Sequence, residues 1–103
     1  MEFHPSQVPI ERVFDVKDEK EASDIAQEIV KLGFSNKKMG FKVLMPKNEK
    51  IAKRIGFTIT TGINYGLRQS KQVQDIMYWT YQHDKDHYAI VFISSKVFEE
   101  LGF

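Results

Sequence analysis

Six consecutive apolar residues, Tyr88 to Ile93, constrain this chain more than any other stretch of its sequence. A strand that alternates apolar and polar residues can leave one face in water. This run has no polar face, so it reads as a strand at the middle of a sheet, buried on both sides. Its neighbours must then supply further strands and a cover of helices. At 103 residues, 42% of them apolar and 28% charged, the chain suits one globular domain. Such a domain buries roughly 65% of its unfolded surface.

The rest of the pattern alternates strand and helix. Val8 to Val16 reads as a strand with Pro9 near its start, where a missing ladder donor does least harm. Asp18 and Glu21 stand in capping-box spacing ahead of Ala22, Ile25, Ala26, Ile29 and Leu32, which recur as one helical stripe. Phe41, Val43 and Met45 alternate in a second strand that stops at Pro46. Asn48 caps a short helix through Ile55, and Phe57 to Thr61 reads as a third, β-branched strand. Gly62 and Gly66 bracket a loop carrying Tyr65. Ser70 then caps a helix with Val73, Ile76, Met77, Thr80 and Tyr81 on one side, and His83 to Asp86 is a polar turn. A terminal helix follows from about Ser95 to Leu101. Leu32-Gly33-Phe34, Ile55-Gly56-Phe57 and Leu101-Gly102-Phe103 share one reading. In each, glycine ends a helix in a left-handed conformation, and the apolar residue after it folds back.

The expected fold is a single α/β (α+β) domain over residues 1–103, with residues 1–7 a flexible N-terminus. A ferredoxin-like split βαβ sandwich, with a four-stranded sheet and a C-terminal helix, fits the order of elements. An open sheet with helices on both faces is the rival.

No run approaches the ~18 apolar residues of a membrane helix, and no signal-peptide pattern opens the chain. No membrane contact is therefore expected, and a cytoplasmic location is. Cysteine is absent, which excludes a disulfide framework, a thiol nucleophile and a Cys-ligated metal. His83 and His87 stand four apart beside Asp84 and Asp86, but the run is polar, leads into a strand and lacks a third ligand. It reads as a solvated turn; an enzyme using His83 or His87 is the minor alternative. Ser94 and Ser95 have no nucleophile elbow around them, and Gly62 and Gly66 do not form a phosphate loop. No catalytic residue, metal or cofactor is expected.

Charge is the remaining signal. A formal net charge of +1 hides three blocks. Residues 1–30 hold three cations against eight acids, residues 31–71 ten against Glu49 alone, and residues 72–103 two against five. The basic middle contributes Lys37, Lys38, Lys42, Lys47, Lys50, Lys53, Arg54, Arg68 and Lys71, interleaved with Phe41, Phe57 and Tyr65. Cations that neutralise phosphates beside aromatic faces that stack on bases are what nucleic-acid binding requires. Equally, the acidic first helix can fold against this segment and neutralise it, and Phe41 and Phe57 suit a core. Tyr65 is the aromatic placed to stack. Met77, Tyr78 and Trp79 offer a second surface, an aromatic helix face for a protein partner or a homodimer.

The stretch Arg12 to Gly33 resembles the opening of the small protein inhibitors of RNase E, a strand ending in Phe-x-x followed by an acidic, alanine-containing helix ending in Leu-Gly-aromatic. The likeness covers about a fifth of the chain. The aspartate-glycine-tryptophan ending of that family is missing, and no residue role is carried over. Small size and a Lys/Ile-rich character suit a bacterial or phage accessory protein. The sequence thus leads to a small non-catalytic regulatory module docking on nucleic acid through residues 37–71. A protein adaptor or inhibitor acting around Tyr78 and Trp79 is the alternative.

Overall fold

The computed structural model describes residues 2–34, 38–71 and 75–103. A 3-10 turn, Pro5–Gln7, precedes β1 (Ile10–Asp15), α1 (Glu19–Leu32), β2 (Gly40–Pro46) and α2 (Glu49–Gln69). Then come β3 (Ile76–Gln82), β4 (His87–Ser94) and α3 (Ser95–Leu101). Among the described residues no helix is long and apolar enough to cross a membrane. Lys37 and Val73, both singled out above, lie outside the described residues.

The four strands form one mixed sheet in the order β1-β2-β4-β3, parallel between β1 and β2 and antiparallel elsewhere. β4 is interior, and Ala89 to Ile93 are buried on both faces as the unbroken apolar run requires. On one face, Phe14, Phe41, Val43, Met45 and Phe92 meet Ala26, Ile29, Ile55, Ile59 and Ile63 of α1 and α2. The opposite face carries Val91 and Ile93, packed with Val8, Val97, Phe98, Trp79 and Phe3. The domain is thus α+β, with two long helices on one face of a four-stranded sheet and a C-terminal helix on the other. These layers are compatible with a ferredoxin-like sandwich; the strand order does not establish that topology in detail.

Caps explain where α1 begins and ends. The Glu21 N–H donates to Asp18 Oδ1 at 2.9 Å, and the Lys17 N–H to the Glu21 carboxylate at 2.9 Å. Gly33 ends the helix at φ 76°, and Phe34 folds back edge-on against Phe41 with ring centroids 5.3 Å apart. Gly102 ends α3 in the left-handed conformation, at φ 77° and ψ 23°, whereas Gly33 combines its positive φ with an extended ψ of 167°.

α2 corrects the sequence reading. Asn48 caps it as expected, accepting the Ile51 N–H at 3.1 Å, but the helix continues through Phe57–Thr61, Gly62 and Gly66 to Gln69. Local preference for strand differs by only ~1 kcal/mol across residue types. Helix instead aligns Ile55, Ile59, Ile63 and Leu67 at every fourth position, all buried, and each such burial contributes ~1.5–3 kcal/mol. The short-range alternation of Phe57 to Thr61 is outweighed by this longer period. Ser70 accordingly closes α2 instead of opening a helix, its hydroxyl donating to the Gly66 carbonyl at 2.8 Å.

β3 is the second correction. Ile76 to Gln82 forms a strand, so Tyr78 and Trp79 point to opposite faces and form no helix face. Neither face of β3 carries a charge, and apolar side chains stand on both, which produced the helix-like spacing of Ile76, Met77, Thr80 and Tyr81.

Gly62 and Gly66 face α1. A Cβ at Gly62 falls 2.7 Å from Ala26 Cβ, and one at Gly66 falls 2.7 Å from Val30 Cγ2, so side chains there force the helices apart. Gly56, in the same helix, has only Ile90 Cδ1 at 3.8 Å. Gly56→Ala is therefore expected to stabilise the fold by about 0.5–1 kcal/mol through helix propensity. Gly62→Ala is expected to cost about 1–3 kcal/mol through overpacking. Urea unfolding of the two variants checks the opposite signs.

Candidate docking groove beside the second helix

With α1 and α2 drawn together, the sheet face above β3 is left without a helix. The result is an open groove of about 650 Å³ between α2 and the β3–β4 hairpin. Gly56, Phe57 and Thr60 line it from α2, Tyr78 and Thr80 from β3, and Tyr88 and Ile90 from β4. Among the described residues charge enters only at one end, where Glu49 and Lys53 sit one helical turn apart with Nζ 3.8 Å from Oε1.

Two lining residues decide the character of this groove. Phe57 is 73% exposed and Tyr78 is 51% exposed. Phe57 is thus not the core residue that the strand reading makes it. It follows Gly56 within α2, not at a helix end, and the continuing helix turns its ring outward. Its exposure was legible only once Ile55, Ile59, Ile63 and Leu67 are recognised as the inward row.

The cations of residues 37–71 do not share one surface. Lys42 lies on the opposite face of the sheet, half-buried, with its Nζ 5.8 Å from the Tyr81 ring centre. Lys38 adopts a positive φ of 50° between α1 and β2. Lys47 follows β2, where its N–H donates to the Asp86 carbonyl at 2.9 Å. Lys50, Arg54, Arg68 and Tyr65, by contrast, fall with Phe57 on the outward side of α2, opposite its buried row. Lys53 and Lys71 flank them. Tyr65 is 65% exposed and belongs to the helix, not to a loop. Arg54 reaches back to Glu19 of α1 at 3.7 Å. This pair is more than half exposed and in the class worth ~0–1 kcal/mol, so it neutralises the stripe only locally.

The aromatic pair expected to act together is split. Trp79 is packed on the far face against Phe3 and Phe98, ring centroids 5.0 and 5.2 Å away. Met77 joins it there. Only Tyr78 reaches the groove.

The histidine turn also separates. His87 Nδ1 lies 3.0 Å from Asp84 Oδ1, and the Asp86 N–H donates to the same oxygen at 2.8 Å. That N–H, together with His87, holds the Asp84 carboxyl below the ordinary carboxylate range. His83 instead lies beside the Tyr81 ring. Among the described residues, no group of three His, Asp or Glu side chains is placed to hold a metal ion.

Comparison with known protein families, with curated proteins and with solved structures returns no match. The likeness of Arg12–Gly33 to the RNase E inhibitors is therefore not extended by any family match.

A lining residue that serves binding and not folding should be replaceable without loss of stability. Phe57→Ser is expected to change the unfolding free energy by less than ~0.5 kcal/mol. Phe41→Ala, in the core, is expected to cost ~3–5 kcal/mol. Chemical denaturation of both variants tests the contrast.

Proposed function

We propose that this chain is a non-catalytic docking module that takes an apolar segment of a partner protein into the groove between α2 and β3. The observation that carries this reading is the exposure of Phe57 and Tyr78 in one groove with an uncharged middle. Aromatic side chains held on rigid elements give large contact area at low entropic cost, and such residues dominate binding energy at interfaces. The cations along α2 favour an acidic flank on the bound segment and speed its encounter.

Selection from a displayed peptide library tests this. The wild-type chain is expected to enrich apolar peptides whose affinity falls at least ~10-fold on Phe57→Ala, the scale of a lost interface anchor. Enrichment of peptides that bind wild type and Phe57→Ala equally overturns the assignment.

A second reading, polyanion binding, is favoured by one observation. Lys50, Arg54, Phe57, Tyr65 and Arg68 share the outward side of α2 over about 27 Å of helix at 1.5 Å per residue. Mixed-sequence RNA and DNA oligonucleotides titrated by fluorescence anisotropy decide it. Affinity that falls steeply with salt, and is lost when Lys50, Lys53 and Arg54 are all changed to Glu, supports this reading. No binding at low salt, or an intact affinity in the triple variant, removes it.

A further inference from the structure

The two edges of the sheet are not alike. β1 is guarded by Pro9 before it, by Glu11, Arg12 and Asp15 within it, and by a register shift between Ile10 and Arg12. Proteins use these devices to stop edge strands from pairing with other chains. β3, reading Ile-Met-Tyr-Trp-Thr-Tyr-Gln, has no charge, proline or glycine in its seven residues. It is rich in the aromatic and β-branched types that favour pairing.

Hydrogen bonds at its two ends show which backbone groups face away from β4. The Ser95 N–H donates to the Asp75 carbonyl at 2.9 Å, and the His83 N–H to the His87 carbonyl at 3.0 Å. In an antiparallel pair, bonded and non-bonded residues alternate. The odd-numbered residues of β3 therefore bond to β4. Ile76, Tyr78, Thr80 and Gln82 turn their N–H and C=O groups outward.

We infer that β3 pairs with β3 of a second copy of this chain, antiparallel about a two-fold axis at Trp79. This rests on the reading that the uncovered β3 side is the interaction surface, and it names the occupant of its edge. In that register Ile76 bonds to the partner's Gln82 and Tyr78 to the partner's Thr80, so every outward group is used. Asp75 falls opposite the partner's His83 at both ends, an opposite-charge match for imidazolium. A strand free of charge meets itself without repulsion between the ends. Shifting the centre to Tyr78 or Thr80 leaves outward groups unpaired and loses the Asp75–His83 match. The pairing also carries the partner's Tyr78 to the open side of each groove, so the two grooves share one floor.

Sedimentation of the full chain over a wide concentration range tests the inference. Wild type is expected to reach twice the 12.0 kDa chain mass. Thr80→Pro removes only an outward N–H, and it is expected to sediment as a monomer with the circular dichroism of the wild type. The absence of cysteine permits a second test of register that does not depend on that variant. Asp75 and His83 of one chain are about 26 Å apart along the strand at ~3.3 Å per residue. A mixture of Asp75→Cys and His83→Cys chains is therefore expected to cross-link on mild oxidation far more than either variant alone. Wild type that stays at the monomer mass throughout, or a mixture that cross-links no better than the single variants, overturns the pairing. A monomeric wild type that still loses its selected peptides on Phe57→Ala overturns the pairing and leaves the groove reading standing.

Discussion

The close approach of α2 to α1 at Gly62 and Gly66 is the contact on which the rest of the architecture depends. Where most helix pairs keep side chains between them and axes 8–10 Å apart, here Ala26 and Val30 press against bare backbone. The gain is a tight lid over Phe14, Phe41, Val43 and Phe92. The consequence lies on the other side of α2. Each ångström moved toward α1 is taken from the cover over β3, so the groove at Phe57 and Tyr78 and the seam at Gly62 and Gly66 are two sides of one packing choice.

Much of this fold could be read from the chain because local and global preferences agree there. α1 has its cap at Asp18, its stripe through Ala22, Ala26 and Ile29, and its stop at Gly33, and all point the same way. β2, β4 and α3 were legible for the same reason. α2 and β3 were not, because in each a short pattern imitates the wrong period. Phe57 to Thr61 alternates for five residues inside a helix whose true repeat shows only over twenty. Ile76 to Tyr81 is uncharged and carries apolar side chains on both faces, so no charged side marks the pleat. Glycine misled as well. In Ile55-Gly56-Phe57 it sits where a helix end is expected, whereas Gly62 and Gly66 serve close contact between helices.

The candidate site was half legible. Tyr78 and the cations of α2 stand among the residues singled out from sequence, and the helix gathers Lys50, Arg54, Tyr65 and Arg68 on one side. The separation of Tyr78 from Trp79, and of Lys42 from α2, follows from pleating and sheet order, which only pairing partners fix. The acidic first block and the basic middle do fold side by side, since the parallel β1-α1-β2 unit sets α1 next to α2. Among the described residues Arg54 meets Glu19 across the two blocks at 3.7 Å, half-exposed, while Arg12 pairs with Glu28 inside the first block at 2.6 Å. Outward cations therefore remain in water along the second helix.

The place of β4 has a consequence for how the fold is reached. This interior strand joins β2 to β3, yet it comes seventh of the eight elements in chain order. The segment through α2 can form its parallel strands and its helix contact from residues near one another in sequence. β2 then has an open side and β3 has no strand to pair with until His87–Ser94 slots between them. Closing that gap is a long-range event, the slow kind in folding, and it seals both cores at once. The unit therefore completes as a keystone arch does, by a piece set late at its centre.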